Sequence, residues 1–417
     1  MDCDPGTDRP GGDRVAWPVV NLPRPQSVPE NHDAGPRPTR PPAGVALASF
    51  TSSFDRFAVS PLLVVLATDL GATLAQALAV AGVYFLAYGF TQPVWGTLSD
   101  RYGRMRLMRV ALLGAAVTGI LSALAPNLAL LIVARALTGA FFGGIIPTAI
   151  TYIGDTVPGP HRHAALADNM SAVAVGTALA TAAAGFIGET AGWRLMFAIP
   201  PVLAVFCLLA LRGRSEPGLA APTGLWRAIT TALSDRWMLL IMVLVFVEGA
   251  VVLGILTLLA PALQDQGLDA TTAGLAVASY GLSTLASSRL VRPLARRLSR
   301  PTIMALGGAG LVAGYAAVAV HVSVGSVVAA ALLLGWTWAL LHTSLQAWAT
   351  EVLPALRGTA VALFAASLFA GSAVGTLAAG PFADAGQWAG LFGVTAAVAA
   401  VLVVAAVAGR RAHLRAH

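Results

Sequence analysis

Gly96-Thr97-Leu98-Ser99-Asp100-Arg101-Tyr102-Gly103-Arg104-Met105-Arg106-Leu107 stands between two apolar runs, Ala77 to Trp95 and Val110 to Ala125. A hairpin this short, between two runs this apolar, must place its turn in water at one face of a bilayer. Arg101, Arg104, Arg106 and Arg109 crowd that face. Glycines at both ends of the turn, Gly96 and Gly103, let two helix termini approach, because no Cβ stands between them. Asp100 lies among the arginines and can pair with them or cap a neighbouring helix N-terminus.

Composition widens this to the whole chain. Of 417 residues 57% are hydrophobic and 11% charged, against about 25% charged in a soluble domain. This is a polytopic membrane protein. Net charge is +7 and every cation of the Lys+Arg count is an arginine. Their placement follows membrane edges rather than one basic face, so no nucleic-acid partner is implied. Cys3 lies in a polar tail and Cys207 in an apolar segment, so neither a disulfide framework nor a metal site is expected. Residues 1–43 hold ten of the 25 prolines and no apolar h-region. They read as a disordered, Pro-rich cytoplasmic tail rather than a signal peptide; a regulatory arm is the other reading.

Twelve apolar segments are long enough to span, at about 20 residues each. They run near 44–68, 74–96, 106–125, 128–152, 164–187 and 194–211, then 238–260, 270–291, 303–322, 325–349, 358–382 and 388–408. The polar stretch 212–237 divides six from six as a central cytoplasmic loop, and 409–417 forms a second tail. With both termini cytoplasmic, 23 of the 26 arginines fall on the inner side, as the positive-inside rule requires. The short outer loops carry Asp69, Glu189, Asp265, Asp269 and Asp384.

The halves repeat. A shift of 196 places Arg101, Arg104 and Gly139 on Arg297, Arg300 and Gly335, and Asp155-x-x-Pro158 on Glu351-x-x-Pro354. A shift of 195 places Gly176, Gly185, Trp193 and Phe197 on Gly371, Gly380, Trp388 and Phe392. One offset serving separate places argues for internal duplication. The expected fold is all-α, with twelve transmembrane helices in two pseudo-symmetric six-helix bundles: 44–211 and 238–408. The match is uneven. Asp100 falls on Arg296 and Arg135 on Ala331, so intramembrane charge gathers in the first half.

The hairpin resembles the loop signature of the major facilitator superfamily, G-x-L-x-D-R-x-G-R-x-x-x-L, here without its usual lysine. Leu131-Ile132-Val133-Ala134-Arg135-Ala136-Leu137-Thr138-Gly139 resembles the fourth-helix motif of proton-driven members, with Thr138 in place of glutamine. The resemblance, over about 44–408, implies alternating access and proton coupling. The fifth-helix antiporter motif is matched loosely by Gly176 and Gly185, without its Gly-Pro pair. Ser60-Pro61-Leu62-Leu63-Val64 keeps one proline of the span-one pattern. Overall likeness is to twelve-span drug:proton antiporters and sugar-efflux-like permeases.

Ionisable groups inside spans are costly and mark function. Asp55 and Arg56 are adjacent in the first span, about 100° apart on a helix, so they cannot pair face to face. Asp55 is either the proton carrier or half of a structural ion pair with Arg135 or another arginine. Arg135 either tunes a neighbouring acid or attracts an anion, or else bonds carbonyls in a packing helix. Glu248 is a second proton site, a contact for a cationic substrate, or a neutral hydrogen-bonded acid. Trp338, His342 and Gln346 share one face of the tenth span and could line the path, with His342 read first as a satisfied interior histidine. Asp100, Arg104 and Asp155, with Gly96, Arg101, Gly103 and Arg162, are expected to form an inner gate; Glu351 with Arg357 is its second-half counterpart.

No phosphate loop, metal-ligand spacing or nucleophile elbow is present, so neither an enzyme nor a cofactor is expected. The expected function is proton-coupled efflux of amphipathic small molecules across the cell membrane, by a monomer, with substrate, protons and the bilayer as partners. The alternatives are a sugar or organic-anion carrier, or a non-transporting receptor or scaffold on the same fold.

Overall fold

The computed structural model describes residues 42–213 and 225–416. The Pro-rich tail up to residue 41, Cys3 and residues 214–224 of the central loop lie outside the described residues. Every regular element described is helical. Ten helices are long and apolar enough to cross a membrane, and the bent pair Ala43–Phe57 and Val59–Asp69 brings the count to eleven. The remaining expected span is the 26-residue helix Ala270–Ala295. It is more polar than the others because of its hydroxyls, several of which are turned back onto backbone carbonyls, as Ser279 onto Ala276 and Thr284 onto Tyr280.

Local chemistry sets the helix ends. Thr73 and Gln76 form a capping box, and Asn127, Asp235, Asp269 and Ser299 each accept from a backbone N–H of the first turn they precede. These caps satisfy donors that lipid could not. The 43° bend at Ala58 has its cause in Pro61, which has no N–H for the Phe57 carbonyl and crowds it. Span seven is interrupted by a π-helical segment, Ala250–Gly254, and span ten by another, Trp338–His342.

The quoted hairpin differs from its reading in one respect. Helix Leu74–Tyr102 continues through Gly96, and the next helix starts at Arg104. The turn is Gly103 alone, at φ 99°. Gly96 sits inside the helix with open space around it. At the other end, helix Trp388–Ala416 runs past residue 408, and helix Leu225–Leu233 occupies part of the central polar stretch.

The two bundles meet chiefly through two helix pairs, Leu74–Tyr102 on Arg357–Ala378 and Gly159–Thr190 on Ala270–Ala295, with Val59–Asp69 also against Leu259–Asp265. Small residues allow the second approach: a Cβ at Gly281 would stand 2.6 Å from the Ala178 nitrogen. The hydrogen bonds that join the halves gather at the arginine-poor edge. Asp384 Oδ1 accepts from the Ala75 N–H at 2.8 Å, and Glu189 Oε2 accepts from the Thr271 N–H at 3.0 Å. These are pseudo-symmetric equivalents: each half offers a carboxylate to the N-terminal turn of a helix in the other. Nearby, Pro261 lacks the N–H that the Thr257 carbonyl would take in an unbroken helix. That carbonyl accepts instead from Ser60 Oγ across the halves, at 2.8 Å.

Candidate functional site

Asp55 lies one turn before the bend of the first span, and Arg135 lies in helix Leu128–Phe142. Arg135 Nη1 donates to Asp55 Oδ1 at 2.8 Å, and Nη2 donates to Oδ2 at 3.0 Å and to the Asp55 carbonyl at 3.3 Å. Both side chains are 1% exposed. The guanidinium lies between the rings of Tyr84, 4.5 Å away, and Phe197, 4.8 Å away. A fork-to-fork pair is the strong geometry for such ions. Away from water it stands only because each charge meets the other, since stranding either one costs several kcal/mol.

Arg56 goes elsewhere, as its angular offset from Asp55 requires. Its guanidinium carbon is 5.0 Å from the Phe57 ring, 5.1 Å from Tyr88 and 5.3 Å from Phe369 of the second half. It is 8% exposed, and its Nε has no hydrogen-bond partner. No ion pair joins it to a carboxylate among the described residues.

The second half brings together two groups that the sequence left separate. Glu248 is fully buried, and its Oε2 is 3.3 Å from His342 Nδ1, where the tautomer decides which atom donates. Glu248 Oε1 has no partner. The His342 ring stacks on Trp338 at 3.7 Å and meets the edge of Phe364 at 5.3 Å. Trp338 and His342 bound the π-helical segment, a frequent feature of functional sites. Gln346 is half-buried, and no hydrogen bond of its side chain joins this group.

At the arginine-rich edge, Arg104 pairs with Asp100, and its Nε donates to Asp155 Oδ2 at 3.1 Å. Its Nη1 also donates to Ser99 Oγ at 3.1 Å. All of these residues belong to the first half. Arg101 is exposed, 5.3 Å from the Tyr102 ring. Arg162 is exposed and donates to the Val157 carbonyl at 3.4 Å rather than to Asp155. The expected Glu351–Arg357 pair does not form. Glu351 takes Arg300 and Arg410, the latter at 2.6 Å, while Arg357 lies exposed. The reason is the extra length of the last helix, which carries Arg410 back to the bundle.

Sequence reasoning missed Arg410 and the rings around the charges: Tyr84, Tyr88, Phe197 and Phe369. Arg410 was legible in principle, since the apolar periodicity of the last span continues to it. The rings were not, because an aromatic at helical spacing is ordinary core.

Two pseudo-symmetric helical bundles with buried charges near their junction define a class of polytopic helical membrane protein. The chain belongs to the Major Facilitator Superfamily, which it matches over residues 45–266 and again over 250–416. It is 29% identical over 202 residues to the multidrug efflux pump LfrA of Mycolicibacterium smegmatis, covering 47% of this chain and 40% of the pump. It is 30% identical over 144 residues to a triacylglyceride transporter of Mycolicibacterium hassiacum, covering 33% of this chain and 27% of that protein. The matched part thus spans well under half the length of either relative. Among solved structures, the fold is shared with a bacterial homologue of the human lysosomal transporter Spinster in an inward-facing, unoccupied conformation. The TM-score is 0.71 at 17% identity, covering 91% of this chain and 99% of that one. It is shared also with a D-xylose–proton symporter, at TM-score 0.68 and 17% identity, covering 87% and 96%.

Proposed function

We propose that the protein is a proton-coupled exporter of amphipathic small molecules, working by alternating access in the cell membrane with both termini cytoplasmic. The observation that carries this reading is the buried Asp55–Arg135 pair. A proton arriving at Asp55 removes its charge and leaves Arg135, which stays protonated at any accessible pH, without its counter-ion. The first and fourth spans then lose their strongest link. A proton can thereby change the balance between conformations through one side chain. The efflux pumps among the relatives support the direction, and the apolar, aromatic surroundings of the buried charges suit an amphipathic cargo. Asp100, Arg104 and Asp155 act here through the conformational balance rather than through substrate contact. Their cluster lies within one half in this arrangement, so its latching partner belongs to the opposite arrangement.

The test is reconstitution in liposomes with a lumenal pH dye and an imposed proton gradient. Substrate-dependent proton movement that disappears in Asp55→Asn supports the reading. Substrate flux with no proton movement sinks the coupling and leaves Asp55 as half of a structural pair.

A further inference from the structure

Four buried ionisable groups lie deep in the spans near the junction: Asp55, Arg56, Arg135 and Glu248, with His342 beside the last. Three of them have a charged or titratable partner. Both Asp55 oxygens are taken by Arg135, and Glu248 faces His342. Arg56 is the one left over. A guanidinium cannot shed its charge by losing a proton, and an isolated charge out of water is among the most costly things a bundle can hold. Three ring faces at 5.0 to 5.3 Å offset part of that cost. Ring faces accept no fork of hydrogen bonds, so the Nε–H, buried and unpartnered, is left for an acceptor.

We propose that Arg56 is the head-group site of the carrier and receives the carboxylate, or another singly charged anionic group, of its amphipathic substrate. This rests on the transport reading above and narrows it to a substrate class. A lone arginine with no second cation in contact suits one negative charge, and its fork matches a carboxylate. The cage then supplies the site for the apolar body. Phe57 and Tyr88 come from the first half and Phe369 from the second, with the Tyr88 and Phe369 rings 4.6 Å apart. A ligand held at Arg56 therefore touches both bundles at once, as cargo must if its presence is to bias their relative arrangement.

The experiment uses the full chain in nanodiscs with three fluorescent probes of one skeleton: dansylaminoundecanoate, its primary amide and its trimethylammonium analogue. Wild type is expected to bind the carboxylate at least about tenfold more tightly than the amide, in keeping with a charge-assisted fork. Arg56→Gln is expected to erase that preference, and an unchanged elution profile with amide binding still measurable shows the variant is folded. Arg56→Lys should keep part of it. Equal binding of carboxylate and amide by wild type, preference for the ammonium probe, no carboxylate binding, or a preference that survives Arg56→Gln would each overturn the proposal. Proton movement driven by the amide or ammonium probe alone would remove this inference and leave the transport reading standing. Carboxylate preference without proton movement would do the reverse.

Discussion

Asp55 and Arg56 are neighbours in the chain with opposite circumstances, one fully paired and one unpaired. Removing one member of a buried pair strands the other, so Asp55→Ala should lower stability by about 3–5 kcal/mol, as should Arg135→Ala. The double variant should be less damaged than the sum of the two, because neither charge is then left alone. Thermal unfolding of the four proteins in one detergent closes this cycle; strict additivity would mean the pair contributes nothing as a pair. The sequence made these residues visible because charge in an apolar run is conspicuous. It did not pair Glu248 with His342, since which side chains meet depends on how spans seven and ten cross. For the same reason Glu351 was assigned the nearer Arg357 instead of Arg300 and Arg410.

Among elements, the hairpin yields a paired prediction. Gly103 holds φ 99°, where an L side chain is strained, so Gly103→Ala should cost about 1–2 kcal/mol. Gly96 is helical with nothing near a Cβ, so Gly96→Ala should be neutral or stabilise by up to about 1 kcal/mol. Melting temperatures of the two variants should move in opposite directions or differ clearly, and equal losses would contradict the one-residue turn. The reading that gave both glycines a turn role took the end of apolarity as the end of the helix. Backbone hydrogen bonding continues past the apolar run, to the Gly103 N–H donating to the Ser99 carbonyl at 3.1 Å, and hydroxyls add to it: Thr97 Oγ1 donates to the Pro93 carbonyl and Ser99 Oγ to that of Gly96, each at 2.9 Å. The π-helical segments had no sequence signal at all, because the extra residue in the turn is accommodated by packing between helices.

For the molecule as a whole, the duplication and the succession of apolar spans were legible because arginine placement, apolar length and offset agree. Which edge is shut was not, since one sequence serves every conformation of a carrier. With Cys3 and Cys207 replaced by serine, Ala75→Cys and Asp384→Cys should cross-link under mild oxidation. Transport should stop and then return on reduction; failure to cross-link would contradict closure at that edge. Glu189→Gln with Asp384→Asn should raise the labelling of a lone Ala75→Cys by an impermeant maleimide several-fold, and unchanged labelling would show that the two contacts do not hold the edge. Those two contacts have a thermodynamic consequence. Each sets a carboxylate of one half against the first-turn N–H of a helix in the other, so parting the halves at that edge leaves both groups to be solvated anew. A molecule built this way has a barrier whose strength is set by how well water replaces those two contacts. Because the pair is duplicated about the pseudo-axis, a rigid-body parting of the halves breaks both contacts in one step.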